Sequence, residues 1–276
     1  MVMSVNTNVG AHVALQNLNA TNAQLAITQN RINTGLKVGS AKDNGAIWAI
    51  AQGQRADIGA LGAVKQSLDR GISAVDVSLA AGETVSDLLL QMKEKALAAT
   101  DASLKTAARA ALSEDFVALR NQIASVTKNA SFNGINLLEA GAPGFSALAD
   151  ATGTTTLTVQ PEVMALSGTI VSVTTSQVIS TLTDAQAALT NVNTSIDNVS
   201  GALARLGTMS KALNTHVTFV GKLTDALEAG VGNLVDADLA KESAKLQALQ
   251  TKQQLGVQAL GIANQTPQLI MSLFRG

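Results

Sequence analysis

No charged side chain occurs from Met1 to Asn30, and none from Gln253 to Phe274, yet both stretches repeat apolar residues at helical spacing. Near the amino terminus Leu15, Leu18, Asn22, Leu25, Gln29, Ile32 and Leu36 advance by alternating steps of three and four. Near the carboxy terminus Leu246, Leu249, Gln253, Gly256, Leu260 and Ala263 do the same. Such steps mark a coiled-coil seam. A helix facing water carries Lys and Glu on its outer side, whereas these carry Asn, Gln, Thr and Ala. Uncharged amides are buried cheaply when hydrogen-bonded, but an unpaired buried charge costs on the order of several kcal/mol. Both ends are therefore expected to be helices enclosed by copies of the same chain. Two such helices alone bury too little to offset chain entropy, so the expectation is disorder in the monomer and order in an assembly. Asn22, Gln29 and Gln253 interrupt the seam and are expected to fix its register, and antiparallel pairing would set Gln253 near Asn22.

Composition narrows the function. The chain has 276 residues, 46% of them hydrophobic but only 2% aromatic, which suits closely packed helices better than an enzyme core filled with rings. Cysteine is absent, which removes disulfides, thiolate metal sites and thiol nucleophiles. His12 and His216 are too far apart in sequence to suggest a metal site or triad. Neither a catalytic constellation nor a cofactor motif is found. A net charge of −1 and the lack of Lys or Arg between Asn129 and Ala204 argue against nucleic acid. The first residues lack the basic start and unbroken apolar run of a secretory signal, and no window is long and apolar enough for a membrane span. No membrane partner is expected.

The middle of the chain holds longer seams. Leu182, Ala185, Leu189, Val192, Ile196 and Val199 begin one that continues unbroken to Val220, predicting a helix from about Ser176 to Glu228. Leu61 to Leu79 and Leu88 to Leu97 predict a second long helix, and Leu112 to Val126 a shorter third. Between Ser131 and Thr175 the pattern changes, and Thr154–Gln160 alternates as a strand does before Pro161. The expected fold is mainly α: an elongated antiparallel helical, coiled-coil bundle with a small β-hairpin region and the termini paired at one end. Three parts follow: residues 1–40 with 236–276 as a terminal coiled coil, 41–140 with 176–235 as helical rods, and 141–175 as a short β connection.

Several ordered segments carry a resemblance. NTNVGAHVALQNLNATNAQLAITQNRINTGLKVGSAKDNGA (Asn6–Ala46), ASFNGINLL (Ala130–Leu138) and ANQTPQLIMSLFRG (Ala263–Gly276) resemble the signatures of bacterial flagellin. The resemblance implies a structural subunit that polymerises into the helical filament of the flagellum for swimming, with the termini forming an inner tube and the rods a shell. It implies self-association, an export chaperone, a filament cap and hook-junction proteins as partners. It also implies an extracellular filament reached by type III export without a cleaved signal. Residues 141–175 stand where larger relatives carry outer domains. Leu88–Thr100 corresponds to a segment that vertebrate innate receptors read in some relatives. Glu94 is kept there, but Gln91 replaces the usual Arg, which implies weak recognition.

The remaining candidates have plain readings. Trp48 is expected to anchor packing at a junction, His12 to be a buried or interfacial polar residue, and His216 to face solvent or a neighbour. Lys42 and Asp43 suggest a turn-stabilising pair, and Gly230 with Gly232 a break between rod and terminal helix. The Ser/Thr-rich runs Thr152–Thr158 and Thr169–Thr175 are either plain β connections or acceptors of O-linked sugars. A hook–filament junction protein, which shares both terminal signatures, is the rival reading. A signalling coiled coil and an enzyme are more distant ones.

Overall fold

A computed structural model describes residues 7–273, with side chains described as far as Gln265. Five helices are present among these residues: α1 (Val9–Thr34), α2 (Gly45–Ala99), α3 (Thr106–Asn129), α4 (Leu182–Val235) and α5 (Leu239–Leu273). Strands β1 (Phe145–Leu148) and β2 (Thr156–Val159) pair antiparallel, Phe145 opposite Val159 and Leu148 opposite Thr156. The mainly α class with one small hairpin is thus observed. Of the segments quoted above, Asn6, the side chains of 266–273 and Phe274–Gly276 lie outside the described residues. The chain forms two compact units, residues 1–56 with 226–276 and residues 57–225.

In the unit of residues 57–225, α2 and α4 run antiparallel, with Gly71 against Leu213 and Gly82 against Leu203. Leu68, Leu89 and Met92 of α2, Phe116 and Ile123 of α3, and Val192, Val199, Leu206 and Leu213 of α4 are fully buried. The seats between the large α4 residues are taken by Ala188, Ser195 and Ala202, also fully buried, while Leu189, Ile196 and Leu203 beside them are half-buried. Small residues there let the neighbouring backbone approach, and the larger ones flank the contact.

The ends of the helices have side-chain causes. Thr181 opens α4: its Oγ1 accepts from the Asp184 backbone N–H at 3.1 Å and donates to Asp184 Oδ2 at 2.7 Å. At the end of α2, Arg109 donates to the carbonyl of Ala99 at 3.0 Å and to that of Asp101 at 2.9 Å, sharing the second with the Leu104 N–H. The expected break at Gly230 and Gly232 does not occur; α4 continues to Val235. Val231 and Val235 are buried on one face, and that packing outweighs the roughly 1 kcal/mol that each helical glycine costs.

The hairpin is tied to both long helices of its unit. Ser67 Oγ of α2 accepts from the Leu148 N–H at 3.1 Å, and His216 Nε2 of α4 is 2.8 Å from the Ala149 carbonyl. His216, expected to face solvent or a neighbour, is half-buried within its own unit, where it meets the carbonyl that follows β1. A Cβ at Gly71 would lie 2.6 Å from the Phe145 ring, so only glycine admits that ring against α2. Before β1, Gly144 has φ +75° and lies beneath the Val159 carbonyl, which a Cβ would approach to 2.8 Å.

The turn between the strands is organised by Asp150. Its carboxylate accepts from the Thr154 N–H and hydroxyl and from the Thr155 N–H, all at 3.1–3.2 Å. Hydrogen bonds from Thr155, Thr154 and Thr152 lower its pKa from 3.8 to about 2. A lowered folded-state pKa contributes stability that is present above 3.8 and lost as the pH falls through about 2. Amide exchange at Thr154 and Thr155 should therefore quicken as the pH drops through that window, after correction for intrinsic rates. Asp150→Asn should quicken it at neutral pH and remove the dependence; unchanged exchange would contradict the assignment.

Candidate assembly interface

The unit of residues 1–56 and 226–276 is built on α1 and α5, which run antiparallel and close together. Asn8 caps α1 by accepting from the Ala11 N–H at 3.1 Å, and its Nδ2 donates to the Ala263 carbonyl at 2.7 Å. At mid-length Gln253 Nε2 donates to Asn22 Oδ1 at 2.7 Å. Near the other end Arg31 Nη1 meets Glu242 Oε1 at 3.0 Å. These three contacts fix one register along the pair, and Gln253 meets Asn22 as antiparallel pairing requires.

The helices meet along Ala14, Leu18, Thr21, Leu25, Thr28 and Ile32 of α1, again in steps of three and four. Leu18, Leu25 and Ile32 belong to the seam read from the sequence. Leu15, Asn22 and Gln29 are exposed, and Thr21 and Thr28, each one residue earlier, fill the alternate seats. On α5, Leu246, Leu249, Gln253, Gly256, Leu260 and Ala263 all lie at the contact, buried or half-buried. Gly256 allows the approach, since its Cβ would stand 3.3 Å from Leu18 Cδ1.

Arg31 and Glu242 were not singled out from the sequence. Glu242 lies one step of four before Leu246, and Arg31 is the first charge of the chain; together those facts were the available signal. The Glu242 carboxylate is about nine-tenths buried, and its Oε2, together with Arg31 Nε and Thr28 Oγ1, has no hydrogen-bond partner. A buried pair of this kind selects alignment more than it stabilises, because any slip strands a charge.

The segments that leave the two helices bind each other. Gly35, at φ +71°, ends α1 in the left-handed conformation. Lys37 N–H then donates to the Val235 carbonyl at 2.7 Å, and Ala237 N–H to the Gly35 carbonyl at 2.8 Å. Asp238 accepts from the Lys241 N–H at 3.1 Å and caps α5. In the turn that follows, Asp43 Oδ2 accepts from the N–H groups of Gly39 and Ser40 and from the Ser40 hydroxyl, at 2.9–3.1 Å. The Ser40 bonds hold this carboxyl below its ordinary range. Asp43 therefore stabilises the turn through backbone N–H groups and Ser40, not through the neighbouring Lys42: a carboxylate one residue away from an ammonium has poorer geometry than three converging donors. Asn44 Oδ1 accepts from Ile47 N–H and starts α2, with Trp48 half-buried in that first turn.

Outside the seam α1 and α5 expose many aliphatic side chains; α1 bears no charge before Arg31, and α5 exposes Lys241, Lys245 and Lys252. Val9, Val13, Leu15, Ile27, Leu255 and Val257 are each 44–67% exposed. A groove of about 430 Å³, lined by Gly10, Ala14, Gly256, Ala259 and one charged residue, Lys252, runs between the helices. Beyond the Lys252 ammonium, which can reach solvent at the end of its long stem, such a surface can be covered by other chains without desolvating charge. His12 is exposed on the same helix. In the other unit, Gln91 and Glu94 are both exposed on α2. Among the described residues no group of three or more His, Asp and Glu stands where it could hold a metal ion, and no helix is long and apolar enough to cross a membrane.

Sequence comparison agrees with this geometry. Residues 5–142 match the profile of the bacterial flagellin N-terminal helical region, and residues 189–274 that of the C-terminal helical region. Flagellin FljM of Caulobacter vibrioides is 56% identical over 99% of this chain and 98% of its own length. The flagellin of Brucella melitensis is 35% identical over 99% of both chains. Flagellin A of Rhizobium meliloti, 28% identical, aligns over 396 positions covering 99% of this chain and all of its own, so it carries sequence that this chain lacks. Among solved structures, a flagellar hook-associated protein from Vibrio parahaemolyticus superposes with a TM-score of 0.58 over 70% of this chain and 100% of its own, at 12% identity, a likeness of fold alone.

The Arg31–Glu242 pair yields one prediction. Glu242→Ala leaves Arg31 without its counter-charge, and because a third of the Arg31 side chain reaches solvent the loss should be only about 1–2 kcal/mol. In assembled protein, amides of α1 and α5 flanking the pair should exchange about tenfold faster. Unchanged exchange would mean that the pair holds nothing in place.

Proposed function

We propose, from the premise that this chain belongs to the bacterial flagellin family and is a structural subunit of the flagellar filament, that residues 1–40 and 236–276 form the inner part of that filament, enclosed by copies of themselves. The observation that carries the proposal is the exposed aliphatic surface of α1 and α5, free of charge from Val9 to Asn30 and from Gln253 to Gln265. Leu15, Leu18, Asn22, Leu25, Gln29 and Ile32, with Leu246, Leu249, Gln253 and Leu260, are the interface residues. Some of them join α1 to α5, and those exposed in the single chain meet neighbours. Residues 41–140 and 176–235 are the rods of the shell, and 141–175 a short outward connection. Contacts between unlike faces of successive copies do not close, so they build an open helix rather than a ring.

Flagellins are structural proteins, and no chemical step is assigned to this one. Nothing favours the hook–filament junction reading, because relatives that match nearly end to end are themselves flagellins. The further partners of the proposal are an export chaperone, a filament cap and hook-junction proteins. The route is type III export of an unfolded chain without a cleaved signal, to which a sequence free of cysteine cross-links is suited. Gln91 and Glu94 form an exposed pair for innate-receptor contact that is weak because Gln91 lacks a guanidinium. A cell-based receptor assay should give low potency for the monomer, and full potency would refute this.

The assembly proposal is tested at the seam. Leu25→Lys or Leu260→Lys places a charge where the proposal encloses it, at a cost on the order of several kcal/mol. Either variant should fail to polymerise, by sedimentation and electron microscopy, while residues 57–225 keep their thermal transition; normal filaments would overturn the assignment. In wild type, residues 1–40 and 236–276 should exchange freely in the monomer and gain protection in filaments.

A further inference from the structure

Residues 57–225 carry two exposed stripes with opposite chemistry. On α2, Glu83, Asp87, Leu90, Glu94 and Leu97 follow steps of four and three, and all are exposed, Leu90 by 52% and Leu97 by 56%. Lys93 borders this stripe, whose three carboxylates leave it acidic. On α4, Arg205, Thr208, Ala212, Thr215, Phe219 and Lys222 follow steps of three and four, and all are exposed. Arg205 is neutralised by a two-pronged pair with Glu162 at 2.6 and 2.7 Å, so from 205 to 222 the charge is set by Lys222 and the flanking Lys211, with Asp225 one turn beyond. Beside this stripe lies a largely apolar trough of about 450 Å³, bordered by Met209, Ala212 and Val159.

Each stripe sets exposed apolar residues, Leu90 and Leu97 on one and Ala212 and Phe219 on the other, among charged or polar ones at helical spacing. Phe219 sharpens the question: the chain has five Phe, and this ring stands 54% exposed, supported on one side by His216 at 5.7 Å. An exposed aromatic ring beside an apolar trough is an anchor of the kind that interfaces bury, and the lysines around it suit the polar rim.

We propose that the α2 stripe of one copy docks antiparallel on the α4 stripe of the next. One register satisfies both chemistries: Asp87 opposite Lys222, Leu90 against Phe219, Glu94 opposite Thr215 beside Lys211, and Leu97 at the mouth of the trough by Ala212. Because α2 and α4 are antiparallel within a copy, an antiparallel contact between copies leaves both copies pointing the same way. The contact joins unlike surfaces and therefore propagates. This inference rests on the self-assembly proposed above and adds the contact that residues 57–225 supply.

The sequence contains no cysteine, so introduced thiols report only on themselves. The double variant Leu90→Cys, Phe219→Cys should give a ladder of covalent oligomers when its filaments are oxidised, since facing positions bring Cα atoms within disulfide reach. It should give none as monomer at equal concentration. Leu90→Cys with Thr208→Cys, out of register by three turns, should give little. Filaments of the first pair that do not cross-link above this control would overturn the docking proposal while leaving self-assembly intact; a wild-type chain that never polymerises would instead sink the assembly reading. Should the cysteine pair impair polymerisation, charge exchange decides. Asp87→Lys or Lys222→Asp alone should raise the critical concentration about fivefold, and the two together should restore it. Additive effects without recovery would refute the register.

Discussion

Close approach of two helices that are free of charge over most of their paired length is the constraint on which the terminal unit depends. The approach is possible because Ala14, Gly256 and Ala263 present little side chain and Thr21 and Thr28 present short ones. It is worthwhile because Leu18, Leu25, Leu249 and Leu260 then remove apolar surface from water. Substituting charge would add solubility to a single chain and forbid its enclosure by others. The amide pair Gln253–Asn22 serves both situations, since two uncharged groups that satisfy each other can be wet or dry at similar cost.

Against that neutral background the Arg31–Glu242 pair acts as an alignment pin. Apolar seams with a seven-residue repeat tolerate slippage by one heptad, because Leu18 and Leu25 occupy equivalent positions. A single ionic contact between helices that otherwise have no charge opposite each other breaks that equivalence. The unpartnered atoms of Thr28, Arg31 and Glu242 show that the pin is imperfectly satisfied, which is tolerable for a device whose purpose is selection. Register is guarded a second time just beyond, where Gly35 and Lys37 exchange backbone hydrogen bonds with Ala237 and Val235.

The periodic helices and the uncharged ends were legible in the sequence because burial acts through spacing, and spacing is printed in the chain. The α5 seam was read residue for residue. In α1 the alternate seats were assigned to Leu15, Asn22 and Gln29 instead of Ala14, Thr21 and Thr28. A period near 3.5 fits either set, and only the width of the gap between backbones decides for the smaller residues. The same ambiguity recurs in α4, where Ala188, Ser195 and Ala202 take seats beside Leu189, Ile196 and Leu203. Gly230 and Gly232 pointed to a helix break by local preference, and packing of Val231 and Val235 overrode it. The role of His216 was invisible because its partner, the Ala149 carbonyl, is set by tertiary contact across 67 residues.

Asn8 and Ala263, which hydrogen-bond each other, are separated by 255 positions along the chain. Loop-closure entropy makes such a contact the hardest to form early, whereas α2 and α3 meet through a connection of only a few residues. Local pairings such as α2 with α3 therefore cost less chain entropy than the contact between α1 and α5. A chain proposed to assemble through these same two helices thus ties its costliest internal contact to the surface it offers its neighbours.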